Sequence, residues 1–285
     1  MQFSVFVVIG IVVASATGAD FQQIPINISN DLIKDPYSSS DVAKGPSKKD
    51  DSNNIAVQGY LARPDMFPFH VELFIRNDVD RGTALASGSL ITPNYVLTSA
   101  NLLRSSIERA NITYGYALLG TDNGLDQSRL QRINFTGSDV QLHPLYDIAT
   151  MRLVHPVTFT EFVQLIRLPS LSDSRTHERK EGTNIGSGGL VRYVRNQILT
   201  NADCSQLHPH ASIESHHICT NAYVGGAFCN QKHGSGLTVD DQGSPLLIGV
   251  ISLFYPCTEN YPTVFVRISE VRDWIADNSN YVFDL

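Results

Sequence analysis

The chain has 285 residues, 42% hydrophobic and 17% charged, enough to fill one large or two small cores and too apolar for global disorder. Its net charge of −7 argues against nucleic acid or an anionic membrane as the main partner.

Residues 1–18 read as a secretory signal peptide, with an apolar stretch over 5–13 and Ala14-Ser15-Ala16 for cleavage. The apolar stretch is far short of the ~20 residues that span a bilayer, so the mature protein is expected to be secreted. Residues 19–54 are polar and turn-rich, with Asp35-Pro36 followed by serines, and read as a flexible N-terminal segment. From Ile55 the texture changes to short strand-like runs at 71–75, 95–98, 114–119, 149–154, 246–253 and 263–266, broken by Pro, Gly, Asn and Asp. That pattern predicts an all-β barrel or sandwich rather than βαβ units. A helix closes the domain, with Ser269 as its cap and Val271, Trp274 and Ile275 on one face. The globular domain is taken as 55–278, with a tail over 279–285.

Cys204, Cys219, Cys229 and Cys257 all lie in the C-terminal third, and an even count in a secreted chain favours disulfides over a metal. Three connectivities are possible. Pairing neighbours, Cys204 with Cys219 and Cys229 with Cys257, closes the shortest loops, and an unstrained bridge stabilises by about 3–4 kcal/mol. Sequons at Asn27, Asn111 and Asn134 mark candidate glycan acceptors. His208, His210, His216 and His217 read as a solvated loop rather than a metal site, and no metal or cofactor is expected.

Several stretches, in order, resemble the chymotrypsin-like serine peptidases, especially their insect branch. They are Gly88-Ser89-Leu90-Ile91, Tyr95-Val96-Leu97-Thr98-Ser99-Ala100-Asn101, His143-Pro144-Leu145-Tyr146-Asp147-Ile148-Ala149, Leu199-Thr200-Asn201-Ala202-Asp203-Cys204, Cys229 to Leu237, Tyr261-Pro262 and Trp274-Ile275. The resemblance covers nearly all of the globular part and implies two antiparallel six-stranded β-barrels with the active site between them. It also matches the four cysteines to the two neighbouring bridges.

The family's chemistry uses a serine nucleophile, a histidine base and an aspartate that orients the histidine. At the matching positions this chain has His233, Asn101 and Asp147. An amide cannot accept the proton, and Ser235 is two positions too far along to attack. Lys232 stands where the family's activation aspartate pairs with a new N-terminal amine, so that ion pair is lost, and Gln231 replaces an oxyanion-hole glycine. Phe254 follows Ser252-Leu253 where a glycine commonly lines the primary pocket, and its ring is expected to fill it. An alternative register would place the nucleophile motif at Asp240 to Pro245; the register adopted makes those residues a hairpin turn.

The resemblance with these departures implies a secreted serine peptidase homologue that is not an enzyme. Its role would be protein binding, as decoy, adaptor or cofactor in an extracellular proteolytic or immune cascade. The partner would be a peptidase, its substrate or a host protein. A salivary or venom-type binder acting on host proteins and a peptidase with residual activity are the alternatives.

Overall fold

The structure, a computed structural model, describes residues 59–285 except 64, 78–82, 105–111, 122–126, 188–189, 209–210, 222–232 and 254–260. The signal peptide, the polar segment at 19–54, Asn27, Asn111, Cys229, Gln231, Lys232, Phe254 and Cys257 therefore lie outside the described residues.

After a short strand β1 (Tyr60–Leu61) come β2 (His70–Asn77), β3 (Thr83–Thr92), β4 (Tyr95–Thr98), β5 (Ile112–Leu119), β6 (Gln131–Phe135), β7 (Val140–Leu142) and β8 (Ala149–Arg152). Strands β2 to β8 form one antiparallel sheet in the order β6-β5-β2-β3-β4-β8-β7. Alternation decides which face turns inward: in β6, Ile133 and Phe135 are buried while Arg132 and Asn134 are exposed. The inward faces of β2, β3, β5 and β8 meet in a cluster that includes Val71, Leu73, Leu90, Leu119 and Met151.

The second half supplies β9 (Glu181–Ser187), β10 (Val191–Leu199), β11 (His217–Thr220), β12 (Gly236–Asp241), β13 (Ser244–Leu253) and β14 (Thr263–Arg267). These six close on themselves, because β9 pairs with both β10 and β12, and β1 adds to the outside of β10. Closure leaves the ring without a free edge. Ile198, Ile218, Leu237, Val239, Ile251 and Phe265 fill it. The expected all-β, two-barrel architecture is present, one barrel closed and the other a curled, open sheet.

Two further short helices lie among the described residues. Helix α1 (Asn201–Leu207) is capped by the Thr200 hydroxyl, which accepts from the Asp203 amide at 2.9 Å, and its Cys204 is bridged to Cys219 of β11. Helix α2 (Arg272–Asp277) corrects the expected cap. Ser269 sits in a 3₁₀ turn over Ile268–Glu270, and the helix begins after Val271 with no side-chain cap. Val271, Trp274 and Ile275 do form its inner face. They join Phe69, Ile91, Leu97 and Ile148 from one sheet and Ile185, Leu247, Val250 and Val266 from the other, an apolar seam between the two halves. The four-residue Ala149–Arg152 strand stops short of the expected 149–154.

The hairpin between β12 and β13 settles how that part of the chain runs. Asp241 pairs with Ser244, leaving a two-residue turn in which Gln242 and Gly243 both have positive φ, 58° and 81°. That is a tight hairpin turn of the kind that matches strand twist, and Asp240 Oδ1 accepts from the Gly243 amide at 2.7 Å. Asp240 to Pro245 is thus a hairpin, as expected from the register adopted.

Candidate functional site

Between the two sheets lies a cleft of about 390 Å³. One wall is the first helical turn after β4, carrying Asn101 and Arg104, and the turn from Pro144 to Asp147 between β7 and β8. The other wall is His216, His217, Ser252 and Val266, from β11, β13, β14 and the residue before β11. The fold thus brings Asn101 and Asp147 together, as the resemblance implied.

Asp147 is 8% exposed. Its Oδ1 accepts from the Ser99 hydroxyl at 2.7 Å and from the Asn101 backbone amide at 2.6 Å, while its buried Oδ2 has no hydrogen-bond partner among the described residues. Burial pushes the carboxyl up from 3.8 to about 6, against Ser99, the amides of Asn101 and Ala100, and Ser252, which favour the ionised form. Ser252 is the last of these in strength and does not close a hydrogen bond to Oδ2. The Asn101 side chain is exposed, 46 residues before Asp147, and touches the carboxylate through its backbone only.

His143 builds the turn that presents Asp147. It is buried, and its Nδ1 accepts from the amides of Leu145 at 3.1 Å and Tyr146 at 2.9 Å, which fixes the tautomer with Nε2 protonated. Burial, then Arg104 and His216, lower its pKa. Tyr146 stacks on His143 at 4.6 Å and on His216 at 4.2 Å, and His216 lies 3.9 Å from His217. A column of rings therefore crosses from one sheet to the other along the cleft. His208, His216 and His217 were expected in a solvated loop, and the structure corrects that; His210 lies outside the described residues. His217 is half-buried in β11, with its pKa lowered to about 4 by burial and His216, and His208 is 1% exposed against Tyr261.

His233 is half-buried at the turn entering β12, and burial lowers its pKa. Its carbonyl accepts from the Ser87 amide at 2.7 Å, tying this turn to β3. Gly234, at φ 76°, lies so close to the Ser87 carbonyl and the Thr98 hydroxyl that no side chain fits there. The Ser235 hydroxyl is wholly buried and makes no hydrogen bond among the described residues. The Cys204–Cys219 bridge is present as expected. Asn134 is exposed. Among the described residues, no group of three or more His, Cys, Asp or Glu is arranged to hold a metal. Sequence reasoning missed Ser99, Ser252, His143, Tyr146 and Arg104 as parts of the cleft. Ser99, in the run ending at Asn101, and His143 and Tyr146, in the run leading to Asp147, had a visible cue.

With a buried carboxylate at the seam of two antiparallel β-sheets, the arrangement is that of a two-barrel peptidase fold. The family model described as Trypsin matches residues 56–275, and the chain belongs to that family. It is similar to the collagenase of Hypoderma lineatum, 25% identical over 80% of this chain and 88% of that protein. It is also similar to a chymotrypsin of Phaedon cochleariae, 23% identical over 92% of this chain and 93% of that protein. A solved structure of HL collagenase superposes with a TM-score of 0.67 at 26% identity, covering 80% of this chain and all of that one.

The family corrects one expectation. The chain was expected not to be an enzyme, on the strength of Asn101 and His233 at triad positions together with Lys232, Gln231 and Phe254, yet its relatives bear the names of endopeptidases. That expectation drew a class from a few substituted side chains. The two sheets, the cleft between them and the buried carboxylate held by Ser99 and the Asn101 amide are what define the class, and all are present.

Proposed function

We propose that this trypsin-family chain is secreted and works by engaging a polypeptide segment of another extracellular protein in the cleft between its sheets. The observation that carries the reading is the cleft's composition: Leu145 is 81% exposed on its rim, beside the rings of Tyr146 and His216. Apolar and aromatic side chains around a concave polar floor are the usual anchors of a protein-binding surface. Asn101, Asp147 and His233 are the counterparts of the family's triad in this reading. A disulfide between Cys204 and Cys219 supports an oxidising compartment, and the exposed Asn134 is a glycan acceptor there. The partner is a peptidase, its substrate or a host protein, in a proteolytic or immune cascade. Hydrolysis of the bound segment is the second reading, favoured by membership of the trypsin family.

One experiment addresses both. A library of fluorescent peptides is titrated against the purified chain, and the same mixtures are followed by mass spectrometry for cleavage. Leu145→Asp is expected to weaken binding about tenfold, roughly 1.4 kcal/mol. Binding that is absent, or that ignores this substitution, would remove the cleft as the binding surface, and new peptide termini would establish the second reading.

A further inference from the structure

The cleft holds a cation without a counter-ion. Arg104 lines it, partly buried, and its Nη2 donates to the His143 carbonyl at 2.8 Å, which fixes the guanidinium against the turn that presents Asp147. It forms no ion pair among the described residues. A second cavity, of about 350 Å³, shows an arginine of this fold with its charge met: Arg175 donates to Asp173 Oδ2 and to Asp241 Oδ1, each at 2.6 Å. One bond to a carbonyl leaves most of the Arg104 N–H groups to a ligand, and a guanidinium presents them as a planar fork that fits a carboxylate.

The other titratable groups of the cleft do not compete for that fork. Asp147 is buried, and its Oδ1 already takes the Ser99 hydroxyl and the Asn101 amide. Glu214 lies against His216 on the opposite wall, its Oε2 3.6 Å from Nδ1. His143 uses Nδ1 to accept from the amides of Leu145 and Tyr146, and His217 uses its own to accept from the Glu214 amide, so both rings are held neutral. Among the described residues, Arg104 is thus the fixed positive charge on the cleft's lining. The net charge of −7 over the chain repels a polyanion, whereas a single carboxylate seated there responds mainly to its nearest neighbour.

We infer that Arg104 is a specificity-determining residue of the cleft and selects polypeptide segments that bring an acidic side chain, whose carboxylate pairs with its guanidinium. The partner is therefore a protein with an exposed Glu or Asp in the segment it offers, a choice that rests on the polypeptide reading above and narrows it.

Two fluorescent peptide libraries, identical except that glutamate in one is glutamine in the other, are titrated against the full chain at neutral pH. The glutamate library is expected to bind about tenfold tighter and to lose that advantage as salt is raised. Arg104→Gln keeps a donor for the His143 carbonyl and removes the charge. It is expected to bring the glutamate library down to the glutamine level while changing glutamine binding by less than about twofold. Arg104→Lys, which keeps the charge without the fork, should fall between the two. The salt dependence is read on the wild type and remains decisive should Arg104→Gln not fold. Equal binding of the two libraries by the wild type, or a glutamate preference that survives in Arg104→Gln, would overturn the inference and leave the polypeptide reading in place. N-acetylglutamate amide, a carboxylate without a segment, is titrated alongside its glutamine counterpart, with the backbone amide shifts of His143 and Leu145 followed by NMR. Saturable shifts with the first alone, while neither library binds, would uphold the carboxylate site and remove the polypeptide reading; no binding by any of these probes would remove both. A sulfated heparin oligosaccharide that binds more tightly than the glutamate library would overturn the acidic side chain in favour of a polyanion.

Discussion

Asp147 shows how one buried side chain sets a pH dependence. Its carboxyl is raised from 3.8 to about 6, chiefly by burial, so between those values the folded chain holds a proton that the unfolded chain has released. Stability from this group therefore falls as pH rises through that window, and above about pH 6 the full penalty, on the order of 3 kcal/mol, is present. His217 works the other way. Burial and His216 lower its imidazole from 6.5 to about 4, so the folded chain prefers the neutral ring. Its contribution is complete above 6.5 and lost as pH falls towards 4. In the wild type the two slopes oppose each other over an overlapping range. Asp147→Asn keeps an acceptor for Ser99 and the Asn101 amide and removes the buried charge. The variant is expected to melt several degrees higher than the wild type at pH 8, with the gap closing towards pH 4 and a steeper acid limb. Melting curves from pH 4 to 8 check this; a variant no more stable than the wild type at pH 8 would mean that the carboxylate is better solvated than its burial implies.

At the scale of elements, two turns of β12 separate conformational strain from steric fit. Gly243 has φ 81° and open space where a methyl group would stand, whereas Gly234, at φ 76°, would drive one into the Ser87 carbonyl and the Thr98 hydroxyl. Gly243→Ala is expected to destabilise by about 1 kcal/mol, the conformational part alone. Gly234→Ala adds the collision and is expected to cost about 3 kcal/mol or more, and to loosen the turn carrying His233 from β3. Denaturant midpoints of the two variants give the comparison, and equal losses would show that β3 yields to the turn. The hairpin was legible in the sequence because Asp240, Gln242 and Gly243 carry their own turn chemistry, and the strands 95–98 and 263–266 because their apolar runs are bounded by breakers. The Ser269 cap was misread for the reason that caps often are. Local chemistry allowed it, but the Val271 amide donates to the Ile268 carbonyl at 3.0 Å and closes Ile268–Glu270 as a 3₁₀ turn, so the helix starts later.

Over the whole molecule, what stayed illegible is what only the docking of the two sheets creates. Tyr146 and His216 are 70 positions apart, and no spacing rule predicts that their rings stack; likewise Ser252 meets Asp147 only because β13 faces the turn after β7. The family fold and the meeting of Asn101 with Asp147 could be read through resemblance, but the orphaned Oδ2 and the ring column could not. The seam that makes these contacts is apolar and shared, with Ile148, directly after Asp147, 0% exposed among residues of both sheets and of helix α2. Because each half covers the other's apolar face, neither is expected to persist alone, and the described domain should unfold in one step. Trp274, the only tryptophan, packs edge-on to His143 at 5.0 Å and reports the seam, while amide exchange in β5 reports the far side of the open sheet. Ile148→Ala opens a cavity in that seam and is expected to destabilise by about 2–5 kcal/mol. Both probes should move to lower denaturant together. If Trp274 fluorescence changes first while β5 keeps its protection, the halves are separable, and the cleft owes its geometry to local turns such as the one His143 holds rather than to the shared core.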